Sequence, residues 1–136
     1  MLITFGKKEG ENEKEKEMKY LLVEDEEMII RVLRRNHPQF MREAMVIRSG
    51  AELECVLAGS SRFEAVLCDR QVGMITTTEL LPRIARLAPH VCLYSGSVEQ
   101  RDLDLAEKHG ILVIPKTGLV DLDSWVKAVL GSSNSS

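Results

Sequence analysis

Five short apolar runs constrain this chain more than any other feature of its sequence. They occupy residues 20–23, 44–47, 65–68, 91–94 and 111–114, and each is nearly continuous in apolar character. A strand with one buried face alternates apolar and polar residues, whereas a strand covered on both faces is apolar throughout. The runs therefore predict the strands of a parallel sheet with helices on both sides.

The segments between these runs have apolar residues at helical spacing. Ser49–Glu52 is a capping-box pattern and predicts a helix that stops at Gly59. Pro82 is tolerated only near a first helical turn, so the next helix is predicted to begin near Thr77 or Thr78. The other three helices are predicted around residues 29–33, over 98–110 and from 121 onward.

Strict alternation of strand and helix predicts a doubly wound α/β fold of five βα units. A flavodoxin-like strand order, 2-1-3-4-5, fits the length, and ligands of such sheets bind at the carboxyl ends of the strands, beside the switch point between strands one and three. The folded domain is predicted over residues 18–130. The charged segment 1–17 and the polar segment 131–136 are predicted to be disordered tails.

Composition excludes several other classes of protein. The net charge of −3 gives no reason to expect a nucleic-acid surface, and no apolar stretch approaches the length of a membrane span. The N-terminus lacks the apolar core of a signal peptide, so a cytoplasmic protein is expected. The three cysteines lie in apolar runs and are interpreted as reduced core thiols; the three histidines are expected at the surface or at helix caps.

Reactive side chains follow four of the five predicted strands. Glu24 and Asp25 follow strand one, Asp69 follows strand three, Ser95 strand four and Lys116 strand five. Carboxylates crowded at one point repel one another unless a cation lies between them, and hard oxygen ligands suit Mg²⁺. A lysine and a hydroxyl opposite the metal would bind the other oxygens of a transferring phosphoryl group. The set indicates phosphoryl transfer to an aspartate.

Four motifs extend this interpretation. YLLVEDEE, FEAVLCDRQVGMITTTELLPRI, VCLYSGS and ILVIPKTG resemble, in order and strand position, the motifs of the receiver domains of two-component response regulators (CheY-like domains). The resemblance covers about residues 18–130. It implies a domain that catalyses its own phosphorylation and dephosphorylation and is not a conventional enzyme.

The resemblance also implies a role for each matching residue. Asp69 matches the phosphoacceptor, Asp25 the acid that binds Mg²⁺ directly, and Glu24 its acidic partner. Gln71 matches the residue whose backbone carbonyl ligates the metal. Ser95 matches the hydroxyl, and Lys116 the lysine, that contact the phosphoryl group.

The partners that the resemblance implies are a sensor histidine kinase or a phosphotransfer protein. A downstream protein target is expected to bind residues 98–130, and a homodimer is possible in this family. Neither direct nucleic-acid binding nor membrane binding is expected.

The sequence departs from the family pattern where the signal is passed on. Thr117 replaces the proline that usually follows the lysine, which predicts a trans Lys116–Thr117 bond and a changed aim for Lys116. Val113 stands at the usually aromatic switch position, so a ring movement coupled to Ser95 is not expected. Gly73 and Thr76–Thr77 replace a proline and an Asp-Gly pair. Gly96 and Ser97 occupy positions that modulate the reaction.

Two other functions fit parts of the pattern. Val113 and Thr117 favour a receiver-like interaction module that is not switched by phosphorylation, whereas Asp25, Asp69 and Lys116 oppose it. A metal-dependent nuclease or topoisomerase-type site would need a second acid where Gln71 stands, and a more basic domain.

Overall fold

The structure, a computed structural model, describes residues 18–134 and contains seven strands, six α-helices and a 3₁₀ turn. The strands are β1 (Tyr20–Val23), β2 (Ala44–Ile47), β3 (Ala65–Cys68), β4 (Gln71–Val72), β5 (Ile75–Thr76), β6 (His90–Ser95) and β7 (Leu112–Pro115). The helices are α1 (Glu27–Asn36), α2 (Pro38–Arg42), α3 (Gly50–Ala58), α4 (Leu81–Ile84), α5 (Gln100–His109) and α6 (Leu119–Asn134), and the 3₁₀ turn is Thr78–Leu80.

The main sheet has five parallel strands in the order β2-β1-β3-β6-β7. These are the five predicted strands in the predicted order 2-1-3-4-5, so the predicted doubly wound fold is confirmed. The central strands β1 and β3 are buried along their whole length, as their continuous apolar runs require. Their carboxyl ends lie side by side, with Val23 paired to Cys68.

Alternate residues of the strands pack into two separate apolar clusters, one on each face of the sheet. The first contains Tyr20 and Leu22 with residues of α1, α2 and α6. The second contains Leu21 and Val23 with residues of α3, α4 and α5. Phe40 stacks on Tyr20 at 4.6 Å between ring centroids, a geometry that contributes about 0.5–1.5 kcal/mol beyond burial. Both faces of the sheet are thus covered.

Two elements were not predicted. The short helix α2, with Pro38 in its first turn, was not among the predicted helices. The antiparallel hairpin β4–β5 follows β3 directly, and Gly73 at its tip has a φ of 59°, which glycine adopts without a steric penalty.

Several other predictions need correction. Residues 131–134 form the end of α6 where a disordered tail was predicted; residues 1–17 and 135–136 lie outside the described residues. His37 caps the end of α1 and the start of α2, which agrees with the prediction, but it is buried, with its Nε2 2.7 Å from Asp123 Oδ1 on α6. Cys55 is exposed, whereas Cys68 and Cys92 are buried as predicted. Among residues 18–134, no helix is long and apolar enough to cross a bilayer.

Candidate phosphoryl-transfer site

An open cleft of about 440 Å³ lies at the carboxyl edge of the sheet. It is lined by Asp25, Glu26, Asp69, Gln71, Ser95, Gly96, Ser97 and Lys116. Because β1, β3, β6 and β7 are parallel neighbours, the residues that follow them meet at one edge. All but one of the residues predicted to take part in the chemistry line this cleft; the exception is Glu24, which lies beneath it among the same acids.

Three carboxylates form an acidic cluster. Oxygen atoms of Glu24, Asp25 and Asp69 all lie within 4.8 Å of one another. Glu24 is only 1% exposed, and its burial, assisted by the charge of Asp69, raises its pKa to about 7 against the opposing effects of the Glu26 N–H and Lys116. Hard oxygen donors crowded in this way fit a divalent cation. These residues could therefore hold a metal ion.

Lys116 neutralises part of this negative charge. Its Nζ donates to Asp69 Oδ2 at 2.9 Å and to Glu26 Oε1 at 2.5 Å, and it lies 3.6 Å from Glu24 Oε1. Partial burial lowers the pKa of Lys116, but the bonds to Glu26 and Asp69 outweigh burial, so the pKa is raised above its ordinary value. The ammonium group therefore stays charged throughout the physiological pH range.

The Lys116–Thr117 peptide bond is trans, as predicted. The predicted change in the direction of the Lys116 side chain is not seen, because its Nζ still contacts Asp69. Two bonds from β6 hold the backbone of Lys116: its N–H donates to the carbonyl of Ser95 at 3.0 Å, and the Tyr94 hydroxyl donates to its carbonyl at 3.1 Å. The lysine is thus aimed by its neighbouring strand.

Asp69 is fixed by its own backbone. Its N–H donates to the carbonyl of Val23 at 2.9 Å, and its carbonyl accepts the Thr77 hydroxyl at 2.9 Å. One carboxylate oxygen faces Lys116, and the other lies 3.5 Å from the Gln71 N–H. Asp69 is 6% exposed at the base of the cleft, so its carboxylate is held in place and still reachable from solvent.

The exposed Asp25 is oriented by the hairpin. Its Oδ2 accepts the N–H of Gly73 at 2.8 Å. Gln71, also in the hairpin, uses its side chain to contact Gly73 and Thr76. The unpredicted hairpin therefore explains how Asp25 and Gln71 are held at the cleft.

Ser95 shares the cleft with Asp69 but contacts its own loop. Its hydroxyl donates to the carbonyl of Ser97 at 3.0 Å and accepts the Ser97 N–H at 3.4 Å. Gly96 and Ser97 are exposed at the rim. The loop of residues 95–97 is thus a compact turn that places a hydroxyl beside the acidic cluster.

Val113 and Thr117 do not line the cleft. Val113 lines a different groove, of about 360 Å³, together with Trp125 and Leu112. Trp125, which was predicted to be core, is partly buried and meets Phe40 edge to face. Thr117 is exposed after β7. Val113 and Thr117, two of the departures from the family pattern, thus lie outside the cleft.

Several contacts at the site were missed from the sequence. Glu26 was given no part in the chemistry, but its carboxylate binds Lys116. Thr77 and Tyr94 hold the backbones of Asp69 and Lys116. No local pattern marks such contacts, because each joins residues that are distant in sequence. The only sequence feature that could have indicated Glu26 is its position in the run of acids after β1, next to Glu24 and Asp25.

No protein-family model matches this sequence, and no curated protein sequence matches it. Solved structures do match. The signal receiver domain of an HD domain-containing protein from Pseudomonas fluorescens Pf-5 is 20% identical, with a TM-score of 0.68 over 88% of this chain and 99% of that one. A phosphorylated cyanobacterial phytochrome response regulator, RcpA, is 24% identical, with a TM-score of 0.63 over 83% and 91%.

The chain has the receiver-domain fold. A BeF3-activated DrrB receiver domain agrees with this result, at 18% identity and a TM-score of 0.65 over 85% of this chain and 98% of that one. The receiver fold places its site at the carboxyl edge of the sheet, and in this chain that edge holds the acidic cluster and Lys116. The acids at this edge of the fold could hold a cation.

Proposed function

We propose that this chain is a phosphoacceptor receiver domain of a two-component phosphorelay, with Asp69 as the acceptor. The observation that carries the proposal is the contact of Lys116 Nζ with Asp69 Oδ2 at 2.9 Å, beside the acids Glu24 and Asp25. An isolated loop aspartate would have neither a fixed cation partner nor two further carboxylates at the same point. A histidine kinase or a phosphotransfer protein is the proposed donor.

The residues suited to holding Mg²⁺ are Asp25 and Asp69, with Glu24 beneath them and the backbone carbonyl of Gln71 at the rim. When bound, Mg²⁺ would offset the negative charge of the phosphoryl oxygens. Support from known structures comes from a Mn²⁺-bound form of the response regulator Rcp1, 21% identical with a TM-score of 0.61 over 81% of this chain and 89% of that one.

The proposed reaction is an in-line displacement. A carboxylate oxygen of Asp69 attacks phosphorus, an O–P bond forms, and the P–N bond of the donor phosphohistidine breaks, leaving the electron pair on the imidazole nitrogen. In this proposal Lys116 binds one phosphoryl oxygen, and its existing bond to Asp69 supports that role. Ser95 binds another after its hydroxyl leaves the carbonyl of Ser97.

The output is proposed to leave through residues 98–130. The groove lined by Val113 and Trp125 lies in this region, and Leu112 and Val120 are exposed there. A protein target or a second copy of the chain would bind this face. The protein is proposed to act in the cytoplasm, where two-component phosphotransfer takes place.

Acetyl phosphate and Mg²⁺ test the proposal directly. We expect intact-mass spectrometry to show one added phosphoryl group on the wild type and none on Asp69→Asn. Asp104→Asn is the matched control, because Asp104 is an exposed acid on α5 that contacts only Gln100 among the described bonds. An adduct that survives Asp69→Asn would overturn the assignment of Asp69. No adduct on the wild type would favour the second candidate, an interaction module that is not switched by phosphorylation.

A further inference from the structure

Asp102 is the most completely buried charged residue among those described, with 0% of its surface exposed. It lies in the first turn of α5 and accepts three hydrogen bonds. Thr78 Oγ1 donates to Oδ1 at 2.5 Å, while Arg70 Nε and the Glu99 N–H each donate to Oδ2 at 2.7 Å. Burial raises the pKa of Asp102, but these donors outweigh it and leave the pKa below its ordinary value. The carboxylate is therefore charged and fully paired.

Arg70, the partner of this buried carboxylate, is the residue directly after Asp69. Its guanidinium also lies 3.2 Å from Glu99 Oε1. The Thr77 hydroxyl donates to the carbonyls of both Asp69 and Arg70, so the backbone from which Arg70 extends is fixed. The ion pair thus joins the residue after the predicted acceptor to the first turn of α5.

Arg70 and Asp102 both contact Glu99, the last residue of a loop that contributes to the site. Residues 95–99 connect β6 to α5 and carry the hydroxyl of Ser95 at one end. At the other end, Glu99 forms a capping box with Asp102 and an ion pair with Arg70. The loop is therefore anchored at Glu99 to the residue that follows Asp69.

We propose that Arg70 and Asp102 are positioning residues, which hold the Ser95–Ser97 loop at a fixed place relative to Asp69 during phosphoryl transfer. This inference rests on the proposed function of the same site. A buried ion pair is weak evidence for a role in stability alone, because desolvation offsets its attraction. The ion pair lies between Asp69 and the loop, and its directed hydrogen bonds hold the segment after Asp69 against the end of the loop at Glu99. An apolar pair could not fill this role, because it makes no directed bonds.

Variants at Asp102 separate charge from geometry. In Asp102→Asn the amide oxygen can still accept from Arg70 and Glu99, and the amide NH₂ can donate to the Thr78 hydroxyl. In Asp102→Ala all three donors lose their partner. We therefore expect a small effect from the Asn variant and a large effect from the Ala variant.

Glu79→Gln is the matched control. Glu79 and Arg101 form an exposed ion pair between the 3₁₀ turn and α5, the two elements that Thr78 and Asp102 also join. Among the hydrogen bonds and ion pairs of residues 18–134, none joins Glu79 or Arg101 to Asp69, Arg70 or the Ser95–Ser97 loop. The control thus weakens the docking of α5 without releasing the loop.

The experiment measures the rate of phosphorylation by acetyl phosphate and Mg²⁺, normalised to the folded fraction at a temperature well below each melting point. We expect Asp102→Ala and Arg70→Met each to lower the maximal rate at least about tenfold, as misplacement of a reacting group does. The double variant should be no slower than either single variant, because both changes release the same tether. Asp102→Asn should stay within about threefold of the wild type, and Glu79→Gln should be unchanged.

The outcomes separate this inference from the proposed function. If the wild type takes up phosphoryl groups and both Asp102→Ala and Arg70→Met react at its rate per folded molecule, the positioning role is overturned. If Asp102→Ala does not fold, the rates of Arg70→Met and Arg70→Lys test the inference instead. A lysine that retains one bond should restore part of the rate that the Met variant loses. Equal rates for Arg70→Lys, Arg70→Met and wild type would refute the inference. A wild type that takes up no phosphoryl group refutes the proposed function itself.

Discussion

The burial of Glu24 has a measurable effect on stability. Its pKa is raised from 4.5 to about 7, first by burial and then by the charge of Asp69. A group with a raised pKa in the folded state contributes stability that is fully present below pH 4.5 and is lost as the pH rises through about 7. Each pKa unit corresponds to about 1.4 kcal/mol, so ionised Glu24 costs the metal-free protein roughly 3 kcal/mol, most of it between pH 5 and pH 8.

Glu24→Gln removes this dependence, because glutamine does not ionise. We expect the free energy of unfolding of the Gln variant, relative to wild type, to increase by about 2–3 kcal/mol from pH 5 to pH 8. Urea unfolding in EDTA, followed by circular dichroism at four pH values, measures both proteins. The difference between the two curves cancels any constant effect of the substitution on packing or on the bond from the Glu26 N–H.

Glu54→Gln serves as the control for this experiment. Glu54 is exposed and lies 3.4 Å from Arg83, so its substitution should change the free energy of unfolding by no more than about 0.5 kcal/mol at either pH. Parallel stability profiles for wild type and Glu24→Gln across pH 5–8 would refute the reasoning. So would a variant that loses stability relative to wild type as the pH rises.

Three further results are expected. Because a proton on Glu24 competes with a cation, Mg²⁺ should bind about tenfold more tightly at pH 8 than at pH 6 by calorimetry, and a pH-independent affinity would contradict this. Under native conditions Cys55 alone should react with a thiol reagent, because Cys68 and Cys92 are buried and their pKa values are raised to about 12. More than one rapidly reacting thiol would be inconsistent with the fold. Tyr94→Phe removes the hydrogen bond to the Lys116 carbonyl, so it should lower the free energy of unfolding in urea by about 1 kcal/mol and slow phosphorylation several-fold. An unchanged rate would show that the bond to the Ser95 carbonyl alone orients the lysine.

The strands and the site edge could be predicted from the sequence because both depend on local pattern. A continuous apolar run identifies a strand that is covered on both faces, and parallel strands bring their carboxyl ends to one edge. Asp25, Asp69 and Lys116 therefore could be placed together without any knowledge of their contacts. The contact of Lys116 with Asp69 agrees with that placement.

The elements that escaped prediction depend on tertiary contacts or on very short segments. The hairpin of residues 71–76 has only two residues in each strand, too few to show alternation. His37 is buried, and its partner Asp123 on α6 lies 86 residues away in sequence. The pairing of Arg70 with Asp102 likewise joins the end of β3 to α5. Charged residues in such positions have the sequence pattern of ordinary surface residues.

The departures at Thr117 and Val113 act on different parts of the molecule. The backbone of Lys116 is held by Tyr94 and Ser95 on β6, so the residue that follows the lysine is not needed to aim it. Val113, in contrast, lines the groove beside Trp125 and has no place in the cleft. A valine cannot transmit a ring movement, but Arg70 and Asp102 link the Asp69 backbone to α5 by another path. The change at the usual switch position therefore lies away from the contact of Lys116 with Asp69, and the ion pair of Arg70 with Asp102 connects the residue after Asp69 to the first turn of α5.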